Sequence, residues 1–221
     1  MTDLHCNLCR EIHHLFPLGG GVAYERLVRE GQNKIMETED FLILPSLGPL
    51  NRSHAMIVPK KHVNSFALLS DDQKSQAAIL QRQLSEHVFR KLGHSLMFFE
   101  SGSGKDTSHS GGCIIHAHIH CCFFSNEFER RLFDEVEFTV SEQGGYEIAD
   151  TKRGYVWYRD VNGRTFVCNS PQLPSQFLRY LYSQVEGDER YWNWRRHFNF
   201  EGILEVISTY QGVKDGDVTL V

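Results

Sequence analysis

The hydrophobic positions of this chain fall into short, dense runs separated by polar, glycine-bearing breaks, and the runs differ in period. Ala77, Leu80, Leu84 and Val88 recur at helical spacing. Ahead of them Ser70, Asp71 and Asp72 supply a hydroxyl cap and early acids suited to the orphan amides and dipole of a helix N-terminus. This pattern predicts one long amphipathic helix over 71–92. Lys34–Glu37 and Phe41–Leu44 read as strands around a Glu39-Asp40 turn, and Ala55–Val58 as a buried-type strand stopped by Pro59. Leu96–Glu100 and Ile114–Phe124 read as two more strands, joined by the polar glycine loop Ser101–Gly112. Shorter helices are expected over Cys6–Phe16, 22–31, 126–134, 175–184 and 201–210. Tyr155–Tyr158 and Thr165–Val167, separated by Asn162-Gly163, resemble a hairpin. Strands and helices without regular βαβ alternation favour an α+β fold with a mainly antiparallel sheet and packed helices.

Length and composition refine this picture. The 221 residues suit one domain over 1–125 and a smaller, mixed extension over 126–221 packed on it. Hydrophobic residues at 41% and charged residues at 23% describe an ordinary globular chain. Twenty-three basic against 28 acidic residues, a net charge of −5, argue against nucleic acid or an anionic membrane as a general partner. No apolar run reaches the roughly 18 residues of a membrane span. The start, Met1-Thr2-Asp3-Leu4-His5-Cys6, lacks the basic region and apolar stretch of a secretory signal, so a cytoplasmic location is expected. Six cysteines are then expected to be reduced. Cys6 and Cys9 form a Cys-x-x-Cys pair, and Cys113, Cys121 and Cys122 bracket a histidine cluster.

That cluster is the segment Cys113-Ile114-Ile115-His116-Ala117-His118-Ile119-His120-Cys121-Cys122. In a strand, His116, His118 and His120 would share one face, about 6.7 Å apart in succession, and Ala117, Ile119 and Cys121 the other. Three adjacent imidazoles pack poorly as core, since each buried ring needs polar partners. Two chemical readings follow. In one, a metallohydrolase, His116 and His118 chelate a catalytic metal. In the other, one imidazole is a nucleophile and its neighbours hold the substrate, because imidazole is nucleophilic near neutral pH. The nearby loop Ser101-Gly102-Ser103-Gly104-Lys105-Asp106 does not fit the Walker pattern, which needs Ser or Thr after the lysine. Ser110-Gly111-Gly112, closer to the histidines, is the better candidate for phosphate contact through backbone amides.

His116-Ala117-His118-Ile119-His120-Cys121-Cys122 resembles the signature of the histidine triad superfamily. Ser53-His54-Ala55-Met56-Ile57-Val58-Pro59-Lys60-Lys61-His62 resembles that family's upstream strand and its Pro-Lys-x-His ending. The order also fits: cysteine pair, upstream strand, long helix, glycine loop, triad strand. The resemblance covers residues 1 to about 125. It implies a nucleoside-phosphate hydrolase or nucleotidyltransferase, often a homodimer, working through a nucleotidyl-histidine intermediate without a catalytic cofactor. Phosphoramidates, dinucleoside polyphosphates and nucleotide sugars are the implied small-molecule substrates. By position the nucleophile is His118, His120 binds phosphate or relays a proton, His54 is the upstream active-site histidine, and His116 orients the site. The resemblance to zinc-binding members also implies a structural zinc held by Cys6, Cys9, His62 and His116. A non-catalytic nucleotide-binding protein of the same fold is a further reading.

The chain departs from the family in two places. Where many members carry an acid that holds the ribose hydroxyls, counting back from His54 gives Ser46, beside Leu47. Where many carry Gln-Ser or Gln-Thr before the triad strand, this chain has Gly112-Cys113, whose backbone amides are the available donors. In the extension, Phe177, Tyr180 and Leu181 are expected to face the core at helical spacing, with Gln176 and Arg179 elsewhere. Arg179, Arg195 and Arg196 are the extension's candidates for an anion, Arg179 foremost. A tail that covers the active site and selects the substrate would follow.

Overall fold

The computed structural model describes residues 5–105, 115–186 and 192–213. Its N-terminal part runs α1 (Asn7–Ile12), α2 (Gly21–Arg29), β1 (Met36–Glu37), β2 (Phe41–Pro45), β3 (Ala55–Pro59), α3 (Asp71–Leu92), β4 (Leu96–Ser103) and β5 (Ile119–Phe123). The extension adds α4 (Asn126–Glu135), β6 (Thr139–Ser141), β7 (Gly154–Arg159), β8 (Thr165–Asn169), α5 (Phe177–Glu186) and α6 (Phe200–Thr209). Among the described residues no helix is long and apolar enough to cross a membrane.

The capping signals set the bounds of α3. The Ser70 hydroxyl accepts from the Gln73 amide, the Gln73 side chain accepts from the Ser70 amide, and the helix ends on Gly93 at φ 70°, a left-handed conformation suited to glycine. The strands form one eight-stranded sheet in the order β1-β2-β3-β5-β4-β7-β8-β6, every pairing antiparallel. The extension therefore continues the sheet along the open side of β4, with Phe99 opposite Tyr158 and Ser103 opposite Gly154.

Alternation along the strands sorts the core onto two faces. Ile43, Ile57, Ile119, Phe98 and Trp157 pack beneath α3 residues Leu80, Leu84 and Val88, joined by Val206 and Tyr210 at the C-terminal end. The opposite face is covered in two separate patches. Leu42, Leu44, Met56 and Val58 pack against Cys6, Leu8 and Cys9. Met97, Phe99, Val156 and Tyr158 pack against Phe128 and Leu132 of α4 and Leu178, Leu181 and Tyr182 of α5. A seam between these patches runs over the middle of the sheet, where β5 lies between β3 and β4.

The expected strand over 114–124 is shorter. Its pairing begins at Ile119, opposite Ile57. Upstream, the Ala117 amide donates instead to the Val63 carbonyl at 2.8 Å, so the chain there follows the segment after β3. His116 and His118 consequently precede the strand, and the single row of three imidazoles does not form. Ala117, Ile119 and Cys121 do share the α3 side of the core. In α5, Leu181 is buried and Phe177 packs beside it, whereas Tyr180 is 41% exposed; Arg179, and Gln176 just ahead of the helix, are also buried.

Candidate active site and metal centre

β5 brings His120 into the seam, opposite Met56 on one side and Phe99 on the other. His54, immediately before β3, lies behind it and is fully buried. The Leu50 amide donates to His54 Nδ1 at 3.0 Å, so in the neutral ring the proton resides on Nε2. That Nε2 lies 2.8 Å from His120 Nδ1, which must accept. His120 therefore carries its proton on Nε2. His118 is part-exposed at the cavity wall, its ring centroid 4.6 Å from that of His120. Its Nδ1 donates to the His116 carbonyl at 2.8 Å, which leaves the Nε2 lone pair uncommitted by that bond. One backbone amide and one backbone carbonyl thus make His118 a lone-pair donor and His120 a proton donor.

Burial, reinforced by the positive charge of Arg179, holds the His118 pKa down at about 4. Burial likewise holds His54 and His120 well below the ordinary imidazole range, with Arg179 among the charges acting the same way. All three rings are neutral at pH 7. Arg179 reaches the site from α5, 4% exposed. Its Nε donates to the Trp192 carbonyl at 2.8 Å, Nη1 to Ser46 Oγ at 3.0 Å and Nη2 to the Gly48 carbonyl at 2.5 Å. This cation pins the β2–β3 loop and sets the potential of the cavity.

His116 points the other way. Its Nε2 donates to the Pro59 carbonyl at 2.8 Å, turning Nδ1 toward the cysteine pair. Nδ1 lies 3.5 Å from Cys6 Sγ and 3.4 Å from Cys9 Sγ, and His62 Nδ1 lies 3.2 Å from Cys9 Sγ. The ligand atoms of Cys6, Cys9, His62 and His116 all lie within 4.8 Å of one another. A tetrahedral zinc about 2.3 Å from sulfur and 2.0–2.1 Å from nitrogen sets sulfur and nitrogen about 3.6 Å apart, so the four residues fit such an ion. Burial pushes the Cys6 thiol up to about 12, a cost to the thiolate that a cation offsets. The carbonyl of Pro59 fixes the tautomer that presents Nδ1, as ligating histidines require.

Residues 36–133 match the family described as "Protein similar to CwfJ C-terminal", a stretch that contains His54, His62 and His116 to His120. A zinc-bound histidine triad family protein from Mycobacterium smegmatis is 17% identical over 56% of this chain and 77% of that one, with a TM-score of 0.42. A histidine triad protein from Clostridium difficile is 18% identical over 57% of this chain and 96% of that one, TM-score 0.40. A hypothetical protein from Leishmania major is 20% identical over 56% and 75%, TM-score 0.43.

The triad histidines and their expected partners distribute as follows. His118, His120, Ser46, Leu47 and Arg179 line one cavity. His54 stands behind it as the donor to His120. His116 is grouped with Cys6, Cys9 and His62, whose ligand atoms could together hold a metal ion, while His118 lines the cavity. Ser110, Gly111, Gly112 and Cys113 lie outside the described residues. Arg195 and Arg196 are exposed. Sequence reasoning missed the cavity's other walls: Asn7, Leu8 and Glu11 from the cysteine-bearing helix, and Gln176, Leu178 and Trp194 from the extension. The cysteine pair placed α1 near the triad, and Glu11, on that short helix, was the legible signal. Trp194 and Gln176 meet the triad across many tens of residues, with no local pattern to announce it.

Proposed function

We propose that this chain transfers or hydrolyses a nucleoside monophosphate group through His118. The observation that carries the reading is the proton order Leu50 amide to His54, His54 to His120, and His118 to the His116 carbonyl. His118 Nε2 attacks the α-phosphorus, forming a P–N bond as the bond to the leaving group breaks. His120 Nε2–H donates a hydrogen bond to the departing oxygen or nitrogen and stabilises the charge gathering there, and a proton from water completes the leaving group. Water or another acceptor then attacks the phosphorus, the P–N bond breaks with its electron pair returning to His118 Nε2, and the acceptor's proton passes to solvent. Arg179 supplies positive charge where the phosphoryl oxygens gather it in the transition state. No catalytic metal is needed in this scheme. Zinc at Cys6, Cys9, His62 and His116 is structural, a closed set of four ligands that ties α1 beneath the triad segment.

The test is nucleoside monophosphate release from phosphoramidates, dinucleoside polyphosphates and nucleotide sugars, with intact-mass detection of the protein adduct. Wild type should release the nucleotide and carry a transient adduct, and His118→Ala should do neither. Equal release by both proteins would overturn the nucleophile.

A further inference from the structure

The triad cavity contains polar atoms that this chemistry leaves unused. Gln176, just ahead of α5, is 7% exposed, and its enclosed Oε1 has no hydrogen-bond partner among the described residues. Its backbone sits at φ 63°, a left-handed conformation that is unfavourable for a residue with a Cβ. An unpaired buried amide and a strained backbone at one residue are two costs that packing alone does not require. Glu11, on α1, is 5% exposed. Its Oε1 takes both the Tyr24 hydroxyl and, at 2.8 Å, the Asn33 amide, leaving Oε2 without a partner among the described residues. Tyr24 and Asn33 thereby act as positioning residues that hold the carboxylate.

Gln176 and Glu11 line the same cavity as His118 and His120. That cavity measures about 40 Å³. A single water needs about 10–15 Å³, so the space suits a phosphoryl group and little more. Glu11 and Leu47 also line a second cavity of about 290 Å³, walled by Leu18 and Tyr24. Glu11 therefore stands where a phosphoryl-sized space meets one large enough for what the phosphoryl group carries.

We infer that Gln176 and Glu11 form a subsite for the hydroxyl groups of the sugar attached to the transferred phosphoryl group, with the rest of the nucleoside in the larger cavity. This rests on the nucleotidyl-transfer reading above. Glu11 Oε2 accepts one hydroxyl, and the Gln176 amide accepts a second hydroxyl and donates to a sugar oxygen. One wall of the subsite comes from the cysteine-bearing helix and the other from the extension, so neither part alone selects the substrate.

The experiment is calorimetric binding of adenosine and guanosine 5′-monophosphates and their 2′-deoxy and 3′-deoxy forms to the full-length, metal-loaded protein. Enclosed hydrogen bonds to the Glu11 carboxyl lead to an expected ribo preference of about tenfold in wild type, falling toward unity in Glu11→Gln. Gln176→Gly separates function from structure. Glycine relieves the left-handed backbone, so melting should not fall while affinity for the ribo forms drops about tenfold. Equal binding of ribo and deoxy forms by wild type, which needs no variant to fold, overturns the inference. So does an unchanged ratio in Glu11→Gln, or no nucleotide binding at all. His118-dependent turnover alongside equal ribo and deoxy affinities sinks this subsite alone. Absence of both turnover and binding sinks the nucleotidyl-transfer reading with it.

Discussion

His116 and His118 are neighbours in sequence with opposite duties, and the comparison shows how the backbone assigns them. His116 gives its Nε2 proton to the Pro59 carbonyl and turns Nδ1 to two thiols. His118 gives its Nδ1 proton to the His116 carbonyl and presents Nε2. Burial holds both rings near pKa 4, so neither owes its role to a distinctive charge state. What differs is which ring nitrogen a carbonyl consumes. The cysteine–histidine cluster and the cavity are therefore mechanically joined, since the residue that faces the two thiols also supplies the carbonyl that orients His118.

The largest effect should come from removing the proposed nucleophile. His118→Ala is expected to lower nucleotide release by about 10⁴-fold or more, while the melting temperature changes little because the ring lies at a cavity wall. Comparable losses in both quantities would mean that His118 is structural and would break the contrast with His116.

The metal side should show the reverse pattern. Chelation, or Cys9→Ser, is expected to lower melting by about 10 °C, since a few kcal/mol correspond to that shift in a chain of this size. Activity should fall along with the folded fraction and return on adding zinc. Intact stability with lost activity would instead make the metal catalytic.

A third test sets a buried acid against the buried imidazoles. Glu100 lies on β4 next to Phe99, on the α3 side, and accepts from the Phe66 amide at 2.9 Å and the Tyr155 hydroxyl at 2.8 Å. Burial nevertheless raises its pKa to about 8. An acid raised in the folded state contributes stability that is full below the unfolded value near 4.5 and is lost as pH rises toward 8. His54 and His120, lowered by burial, contribute stability above about 6.5 that is lost as pH falls. Glu100→Gln should remove the alkaline loss, worth up to about 3–4 kcal/mol between pH 5 and 8, and leave the acid limb in place. Denaturant titrations at both pH values measure it, and an unchanged alkaline slope would place the loss elsewhere.

Much of the fold was legible because its signals are local. Ser70, Asp71 and Gly93 bound α3, and Asn162-Gly163 marked the β7–β8 turn. The triad segment misled because its alternation satisfies a strand pattern throughout, whereas pairing depends on what lies alongside. Only from Ile119 onward does β3 offer a partner strand; before that the Pro59 and Val63 carbonyls draw the chain away. The three-residue β6, two of its residues exposed, carries too little hydrophobic pattern to stand out. Arg179 was visible as a candidate, but its bond to Ser46 spans 133 positions, and no periodicity encodes that distance. Gln176 is buried and lines the cavity, a placement that helical spacing alone does not encode.

The smallest expected effect bears most directly on the tautomer argument. His54 is fully buried and touches the cavity chemistry only through its 2.8 Å bond to His120. Removing it in His54→Ala leaves His120 Nδ1 with no donor, so the ring is free to carry its proton there and to turn a lone pair toward the leaving group. Departure of an amine or alkoxide, which needs that hydrogen bond, should slow by about tenfold to a hundredfold, the usual cost of losing an orienting partner. A low-pKa phenolate leaves without protonation, and its transfer should slow less than about threefold. The ratio of the two rates thus reports the position of one proton. If both substrates slow alike, His54 acts by packing, and the order of donors from Leu50 to His120 does not govern the reaction.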